Sequence, residues 1–445
     1  MIGIGGISMS GLAEILIKWG YVISGSDLNP SHITDRLKNS GIEINIPHQA
    51  QNVDGADGVV YTAAVKADNP EMIRAKELNL PLVDRASLLG EITGIYSKTI
   101  AVSGTHGKTT TTSMVASALT ESGSDPTVLV GGELSSIGGN YRIGASELLV
   151  TEACEYVESF LKFYPDCGII LNIEMDHLDF FKDLDHVKSS FLKFGNKVSS
   201  SGVVIGNFDD ENVIDIFKRI DRNKISFGIS SNADWKAEQI SFNVRGCAGF
   251  NVYHKGSLIG NIQLSIPGRH NVYNALACIA ACAYYGTDFE RIKASLERFS
   301  GAKRRFEYVG ETSGFRIVDD YAHHPSEVKA TLEAASKQNP NSLWCIFQPH
   351  TYTRTKSLLN EFASAFKSAN HVIITDIYAA RENNTGEIHS KDLVDAINKE
   401  SANAVYAYSF EEAVRLIREG AMPGDLVMTM GAGNVFKIGE MLLEK

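Results

Sequence analysis

The chain has 445 residues, room for about three ordinary domains, and its 44% hydrophobic and 21% charged content is that of a folded globular protein, not a disordered one. Lys and Arg number 42 against 53 Asp and Glu, a formal charge of -11 that excludes a broad basic surface for nucleic acid and leaves anionic ligands to local positive sites. There is no charged leader followed by an apolar run, and no segment of the roughly 20 apolar residues needed to span a bilayer, so a cytoplasmic location with no membrane partner is expected.

In chain order, Met1 leads directly into Ile2-Gly3-Ile4-Gly5-Gly6, so the first strand is expected to be almost absent, with a few residues missing upstream. A helix through Leu12 to Trp19, a strand from Tyr21 to Ser24 and another from Gly58 to Tyr61 make residues 1–96 a first alternating unit. The second, 97–300, opens with an apolar strand from Thr99 to Val102 that enters a glycine turn and a Thr-rich helix start. Within it Leu148 to Val150, Gly168 to Asn172 and Val203 to Gly206 have the continuous apolar character of buried parallel strands, whose C-terminal ends should face a ligand.

In the third unit, 301–445, strands from Phe315 to Val318, Leu343 to Phe347 and Val372 to Thr375 alternate with helices beginning at Ser326 and Ser357. The predicted fold is α/β, three domains in series: a Rossmann-like N-terminal domain, a central P-loop-type ATPase domain with a parallel sheet, and a Rossmann-like C-terminal domain. The six cysteines form no CxxC knuckle and read as free thiols in a reducing compartment. Cys278 and Cys282, four apart in an apolar helical run, read as core packing and not as a ligand pair.

The segment Ser103-Gly104-Thr105-His106-Gly107-Lys108-Thr109-Thr110 stands where a strand passes into a helix. Glycines let the backbone approach phosphates, a helix N-terminus offers unpaired N–H groups, Lys108 neutralises charge and a Thr hydroxyl reaches magnesium, so the segment reads as a phosphate loop. Position 102 is Val, which makes it the shorter G-T-x-G-K-T form. Two later strand ends deliver Glu152 and the run Glu174-Met175-Asp176-His177-Leu178-Asp179. Magnesium prefers hard oxygen ligands, so Glu152 and Thr109 are natural candidates; His177 is either a less usual ligand or a capping histidine. His270 and Asn271 open a helix, where they read an adenine edge or, for Asn271 and Asn274, cap it.

The third unit supplies Lys303-Arg304-Arg305-Phe306, Asp319-Asp320-Tyr321-Ala322-His323-His324-Pro325 and Gln348-Pro349-His350-Thr351-Tyr352-Thr353-Arg354. Arginine clamps carboxylate or phosphate, aspartate binds ribose hydroxyls and histidine takes a proton from an ammonium group, a set suited to transfer onto an amine. The plainer alternative makes Arg304 and Arg305 a solvated linker and the histidines structural. At the front, Gly3-Ile4-Gly5-Gly6-Ile7-Ser8 with Asp27 downstream is close to a dinucleotide fingerprint with Ser8 in place of the third glycine, so an NAD-dependent oxidoreductase is a rival reading.

Taken together, the runs Gly3 to Gly11, Gly104 to Thr112, Asp319 to Pro325 and Gln348 to Thr355, in this order, resemble the Mur ligase family over nearly the whole chain. The resemblance implies an ATP-dependent ligase of peptidoglycan precursor synthesis, joining L-alanine to the carboxylate of UDP-N-acetylmuramate, with ATP and Mg2+ as cofactors and a monomer or homodimer as the working state. It implies that Gly5, Gly6, Ile7, Ser8 and Met9 lie near the UDP diphosphate, with Asp27 and His48 towards the uridine. Gly104, Thr105, His106, Gly107, Lys108, Thr109 and Thr110 would cradle ATP, Thr109, Glu152 and His177 would hold Mg2+, His270 and Asn271 would meet adenine, and Arg305 and Asp320 would complete the nucleotide site.

Lys108, Tyr321, His323, His350 and Arg354 would surround the reacting groups. Ser8, Cys154 and Ala322 depart from the family's usual Gly, Asp and Gly, and none removes an implied ligand. Some relatives carry a carbamylated lysine; Lys188 and Lys193 are nearest here, and neither is assigned. The expected chemistry is an acyl phosphate attacked by the amine of alanine, with His323 accepting a proton. A sibling ligase adding a recycled tripeptide is the nearest rival, and a non-catalytic UDP-sugar sensor is one of a different class, against which Lys108, Glu152, His177 and His323 argue.

Overall fold

The computed structural model describes residues 1–380, 382–400 and 403–444. Helix α1 (Ile7–Lys18) follows the first glycines, and its buried Met9, Leu12, Ala13 and Leu16 recur at the three- and four-residue spacing of one helix face. The strand expected at Tyr21 to Ser24 instead forms as β1 (Ser24–Ser26), because Tyr21 and Val22 are exposed. Gly25 sets that register: a Cβ there would stand 2.4 Å from Ile4 Cδ1, so only glycine lets Ile4 pack across the strand.

β1 pairs in parallel with β2 (Glu43–Asn45), and β3 (Val59–Tyr61) with β4 (Leu82–Asp84). Among the described residues Ile2 joins the pairs, bridging in parallel to Ser26 on one side and Tyr61 on the other. The near-absent first strand is thus a single bridging residue, at the centre of a Rossmann-type order.

The middle unit is a ten-stranded sheet: β5 (Lys98–Ser103), β6 (Thr127–Leu134), β7 (Gly139–Arg142), β8 (Leu148–Glu152), β9 (Cys167–Ile170), β10 (Val203–Asn207), β11 (Asn223–Gly228), β12 (Trp235–Phe242), β13 (Cys247–His254) and β14 (Ser257–Pro267), in the order β14-β13-β12-β11-β10-β9-β5-β8-β6-β7. Its centre is parallel, with β5 between β8 and β9, so the loop leaving β5 sits at the point where the strand order reverses, the usual ligand crevice of an open α/β sheet. The antiparallel β12–β14 meander is an addition that the strand-helix alternation did not reveal.

Helices α2 (Lys108–Glu121) and α3 (His270–Tyr284) cover one face, where Cys278 and Cys282 are fully buried; all six cysteines are free. The other face packs Phe160, Phe191 and Phe194 together with Leu12 and Ile15 of α1, which seats the first unit on the middle one.

The third unit has β15 (Glu307–Thr312), β16 (Phe315–Asp320), β17 (Leu343–Phe347), β18 (His371–Ile374), β19 (Asn403–Tyr406) and β20 (Leu426–Met430) in the order β15-β16-β20-β17-β18-β19, parallel except at the β15 edge. The loops after β16, β17 and β20 therefore leave from one end of the sheet. Helix α4 (Pro325–Ser336) has proline in its first turn, with His324 as cap and Glu327 completing a capping box. The helix expected from Ser357 forms as Leu359–Ala365, and a separate short helix, Tyr352–Ser357, precedes it, capped by the Thr351 hydroxyl, which accepts the Arg354 N–H. Among the described residues no helix is long and apolar enough to cross a membrane.

Phe160 lies flat on Phe194, ring centroids 4.8 Å apart and planes 7° from parallel, under the segment that carries Glu155. Phe160→Ala is expected to cost about 3–5 kcal/mol of stability, since the vacated ring volume cannot collapse fully. Urea unfolding checks this, and a loss below about 1 kcal/mol would contradict the assignment of Phe160 to a close-packed layer.

Candidate functional site

The site begins in the loop between β5 and α2. Gly104 and Gly107 have φ of 140° and 83°, and Gly107 caps α2 from the left-handed region, which glycine occupies at no steric cost. The loop is fixed to the segment after β9: Thr105 N–H donates to Asn172 O (3.1 Å), His106 N–H to Asn172 Oδ1 (2.8 Å) and Glu174 N–H to Thr105 Oγ1 (2.9 Å). Lys108 Nζ turns back onto Thr105 O at 2.9 Å and pairs with Glu155 Oε2 at 3.0 Å. Burial disfavours the charged amine, but Glu155 outweighs it and the net shift of the Lys108 pKa is upward. Glu155 escaped the sequence reading; its one signal was a carboxylate three residues past Glu152 at a strand end.

Around this loop Gly107 and Thr110 face His270, Asn271, Arg305 and Asp320 across a cavity of about 230 Å³ that also takes in Asn207, Tyr273 and Asn274. Asn271 is buried, donates to Pro267 O (2.7 Å) and accepts from Asn274 (2.9 Å), so it holds the mouth of α3 as well as lining the cavity. Asp320 accepts N–H bonds from Phe306 and Ala322, both 2.8 Å, and burial pushes its carboxyl up to about 6 in spite of Arg305. Arg304 is no solvated linker: it donates to Asp319 Oδ2 and to the carbonyls of Gly431 and Gly433.

A second, smaller cavity of about 100 Å³ is lined by Asp176, His177, Tyr321, His323, His350 and Arg354, with Glu382 and Ala432 at its edge. Arg354 is buried, donates through Nη2 to Asp176 Oδ1 (2.8 Å) and through Nη1 to His350 Nδ1 (3.1 Å). Burial works against the Asp176 carboxylate, yet the Arg354 guanidinium holds it well below the usual carboxylate range. His323 Nδ1 lies 3.0 Å from Tyr321 O; a carbonyl only accepts, so the proton is on Nδ1 and Nε2 keeps its lone pair. Burial, then Arg354, lowers the His323 pKa to about 4 against the opposing pull of Glu327 and Asp176.

Thr109 and Glu152 open onto the same glycine pair of β6. A Cβ at Gly131 would lie 3.0 Å from both Glu152 carboxylate oxygens, and one at Gly132 would lie 3.2 Å from Thr109 Cγ2. Thr109 turns its methyl to Gly132 while its hydroxyl accepts from Arg305 Nη2 at 3.5 Å; a carboxylate and a hydroxyl are oxygen ligands of the kind a hard divalent cation takes. His177 joins this group indirectly, its Nε2 3.7 Å from Glu155 Oε1. Lys188 and Lys193 are ion-paired on the Leu184–Lys197 helix, the first with Asp215 and the second with Glu158 (2.9 Å).

The first-unit residues stand apart from both cavities. Gly5 N–H donates to Asp27 Oδ2 (2.8 Å), and α1 makes its first intrahelical bond from Ser10 N–H to Gly6 O, leaving the N–H groups of Ile7, Ser8 and Met9 in the first turn where an anion is favoured. The Met9 side chain is buried, so only its backbone faces that end. The Ser8 hydroxyl accepts from Arg85, and His48 Nδ1 sits 3.0 Å from Ser26 Oγ and 3.4 Å from Glu71, a buried carboxylate with no motif to announce it.

The middle and third units meet through the phosphate loop. His106 places Nδ1 3.1 Å from Glu327 Oε1 on α4 and Nε2 3.3 Å from Glu174 Oε2. Burial disfavours the charged ring, but Glu327 and Glu174 outweigh it and push His106 up to about 10 from its ordinary 6.5. A raised histidine contributes its full stabilisation below about 6.5 and loses it as pH climbs to about 10. Wild-type stability is therefore expected to fall across that window relative to His106→Gln in thermal unfolding at stepped pH; parallel profiles would remove the ion pair from the account.

Three family models match the chain in series: the Mur ligase family catalytic domain over residues 1–96, the Mur ligase middle domain over 102–282 and the Mur ligase glutamate ligase domain over 304–433. The UDP-N-acetylmuramate–L-alanine ligase of Acetivibrio thermocellus is 55% identical over 444 residues, covering 100% of this chain and 95% of that protein. Among solved structures, the UDP-N-acetylmuramate-alanine ligase of Thermotoga maritima aligns with a TM-score of 0.85 at 30% identity, over 100% of this chain and 97% of that one. A murein peptide ligase from Psychrobacter arcticus aligns with a TM-score of 0.76 at 26% identity, over 99% and 97%.

Proposed function

Because the chain belongs to the Mur ligase family, we propose that its two cavities and the loop between them carry out one reaction, the ATP-dependent joining of L-alanine to the carboxylate of UDP-N-acetylmuramate. The observation that carries this reading is the small cavity holding Arg354, His323 and His350: its size suits a small amino acid, its guanidinium suits a carboxylate and its neutral imidazole suits an amine. Residues 1–96 take the UDP substrate, 97–300 the nucleotide and 301–445 the amino acid.

The larger cavity takes the adenosine part of ATP, with His270 and Asn271 at the base and Asp320 and Arg305 at the ribose side. Gly104, Thr105, His106, Gly107, Thr109 and Thr110 present the loop backbone and first helical turn to the phosphates, and Lys108 offsets their charge once it parts from Glu155. Thr109 and Glu152 would hold Mg2+, with His177 behind Glu155, and the ion would supply charge neutralisation at the transferring phosphoryl group. The UDP diphosphate lies at the α1 N-terminus, over Gly5, Gly6 and the N–H groups of Ile7, Ser8 and Met9, with Asp27 and His48 beyond it.

A carboxylate is a poor acyl donor because oxide is a poor leaving group. Its oxygen therefore attacks the γ-phosphorus, ADP departs, and the amine of alanine then displaces phosphate from the acyl carbon. Tyr321 and His350 flank His323, whose Nε2 accepts the amine proton. The alanine carboxylate set against Arg354 offsets the positive charge that lowers the His323 pKa, so the base strengthens as its substrate arrives.

Lys108→Ala is expected to abolish ADP release while UDP-N-acetylmuramate still binds, since the first unit is built independently of the phosphate loop. Retained turnover, followed by coupled ADP detection, would sink the phosphate-loop role.

In a series of acceptors, L-alanine should lead, with glycine and L-serine the nearest competitors, because one methyl or hydroxyl discriminates by only about 1–3 kcal/mol. The same assay run with a murein tripeptide decides the rival reading: faster ADP release than with L-alanine would make this a peptide-recycling ligase.

A further inference from the structure

We propose that His106, Glu174 and His324 form a second metal site, for a transition-metal ion of the zinc class, separate from the oxygen-rich group at Thr109 and Glu152. His106 Nε2 and Glu174 Oε2 are 3.3 Å apart, His324 Nδ1 and the same oxygen 3.9 Å, and the three atoms all lie within 4.8 Å of one another. Tetrahedral coordination with bonds of about 2.0–2.1 Å sets ligand atoms roughly 3.3 Å apart. One edge of the polyhedron is already at that length, and the others close with small side-chain rotations.

The hydroxyl of Ser326 occupies the middle of the group, 2.9 Å from His106 Nε2, 2.8 Å from Glu174 Oε2 and 2.8 Å from His324 Nδ1. It accepts from the protonated His106 Nε2 and has one proton of its own for two acceptors, Glu174 Oε2 and His324 Nδ1. A divalent cation replaces the Nε2 proton of His106 and then meets the two imidazole nitrogens and the carboxylate at once, with the hydroxyl or a water as fourth ligand. Two imidazole nitrogens and one carboxylate select the zinc class over magnesium.

The outer contacts are those that orient metal-bound histidines. His324 Nε2 lies 3.2 Å from Met175 O, which only accepts, so the ring proton is on Nε2 and the Nδ1 lone pair points at the group; that lone pair also caps α4 by accepting the Ser326 N–H at 3.4 Å, a bond that an ion replaces. His106 Nδ1 faces the Glu327 carboxylate at 3.1 Å, the carboxylate–histidine arrangement that fixes a ligating ring and strengthens it as a donor. His106 and Glu174 belong to the middle unit and His324 to the start of α4, so a bound ion staples the phosphate loop to the third unit. Because His106, Glu174 and Ser326 also line the nucleotide cavity, turnover and nucleotide affinity should fall together as zinc is added.

The test is equilibrium dialysis of the full chain against Zn2+ in excess Mg2+, with visible absorption of the Co2+ form as a report on geometry. One tightly held ion per chain, a four-coordinate Co2+ spectrum and at least tenfold weaker binding in His324→Asn are expected; asparagine keeps an acceptor for the α4 cap, and Glu152→Gln should bind zinc as the wild type does. Should His324→Asn not fold, Glu174→Gln, whose carboxylate is 41% exposed, takes its place with the same expectation. Zinc affinity unchanged in these variants, loss of zinc in Glu152→Gln instead, or a six-coordinate Co2+ spectrum would each overturn the site.

Discussion

The attachment of Thr105 and His106 to Asn172 is the contact on which the rest of the site hangs. Two strands adjacent in the sheet, β5 and β9, end in loops with no regular pairing of their own, and the Asn172 amide closes both by accepting the His106 N–H and donating to the His106 carbonyl (3.1 Å). With that backbone held, Gly107 enters α2 from the left-handed region, Lys108 folds onto Glu155, and the His106 ring is left pointing out of the middle unit towards α4. A backbone carbonyl and a carboxamide thus decide where three charged side chains stand. The energy involved is a few neutral hydrogen bonds, each about 1 kcal/mol net, but the alternative is a set of buried backbone groups without partners.

What the sequence made legible follows from the same distinction between backbone and partner. The phosphate loop was readable because its demands fall on consecutive residues: positive φ at Gly104 and Gly107, a cation at 108, hydroxyls at the helix start. The third-unit runs at 319–325 and 348–354 were readable as strand ends carrying polar side chains, and β16 and β17 do deliver them to one cavity. Glu155, Glu327 and Glu71 were not readable as site residues, because each acquires its role from a cation or imidazole distant in the chain; Glu327 also closes the capping box of α4. The misplaced strand at Tyr21 and Val22 has a similar origin. Local propensity favours those residues as strand, but the register is set by Ile4 needing a glycine opposite it, a requirement that no local pattern records.

The apolar clusters of the molecule respect the boundary between the middle and third units. Those of the middle unit draw on residues up to Phe299 and those of the third begin at Phe315, with Leu178 the middle-unit side chain that packs across. The polar contacts across the seam include His106 with Glu327, Arg354 with Asp176, Arg305 with Thr109, His324 with Met175 O and Ser326 with Glu174. Parting it uncovers charges and hydrogen-bonding groups that water accepts readily, and very little hydrocarbon. Lifting the third unit away should therefore carry a small heat-capacity change and a small response to urea, with a strong response to ionic strength, whereas unfolding either unit shows the reverse. Within one covalent chain, the seam has the thermodynamic character of a transient encounter between two proteins.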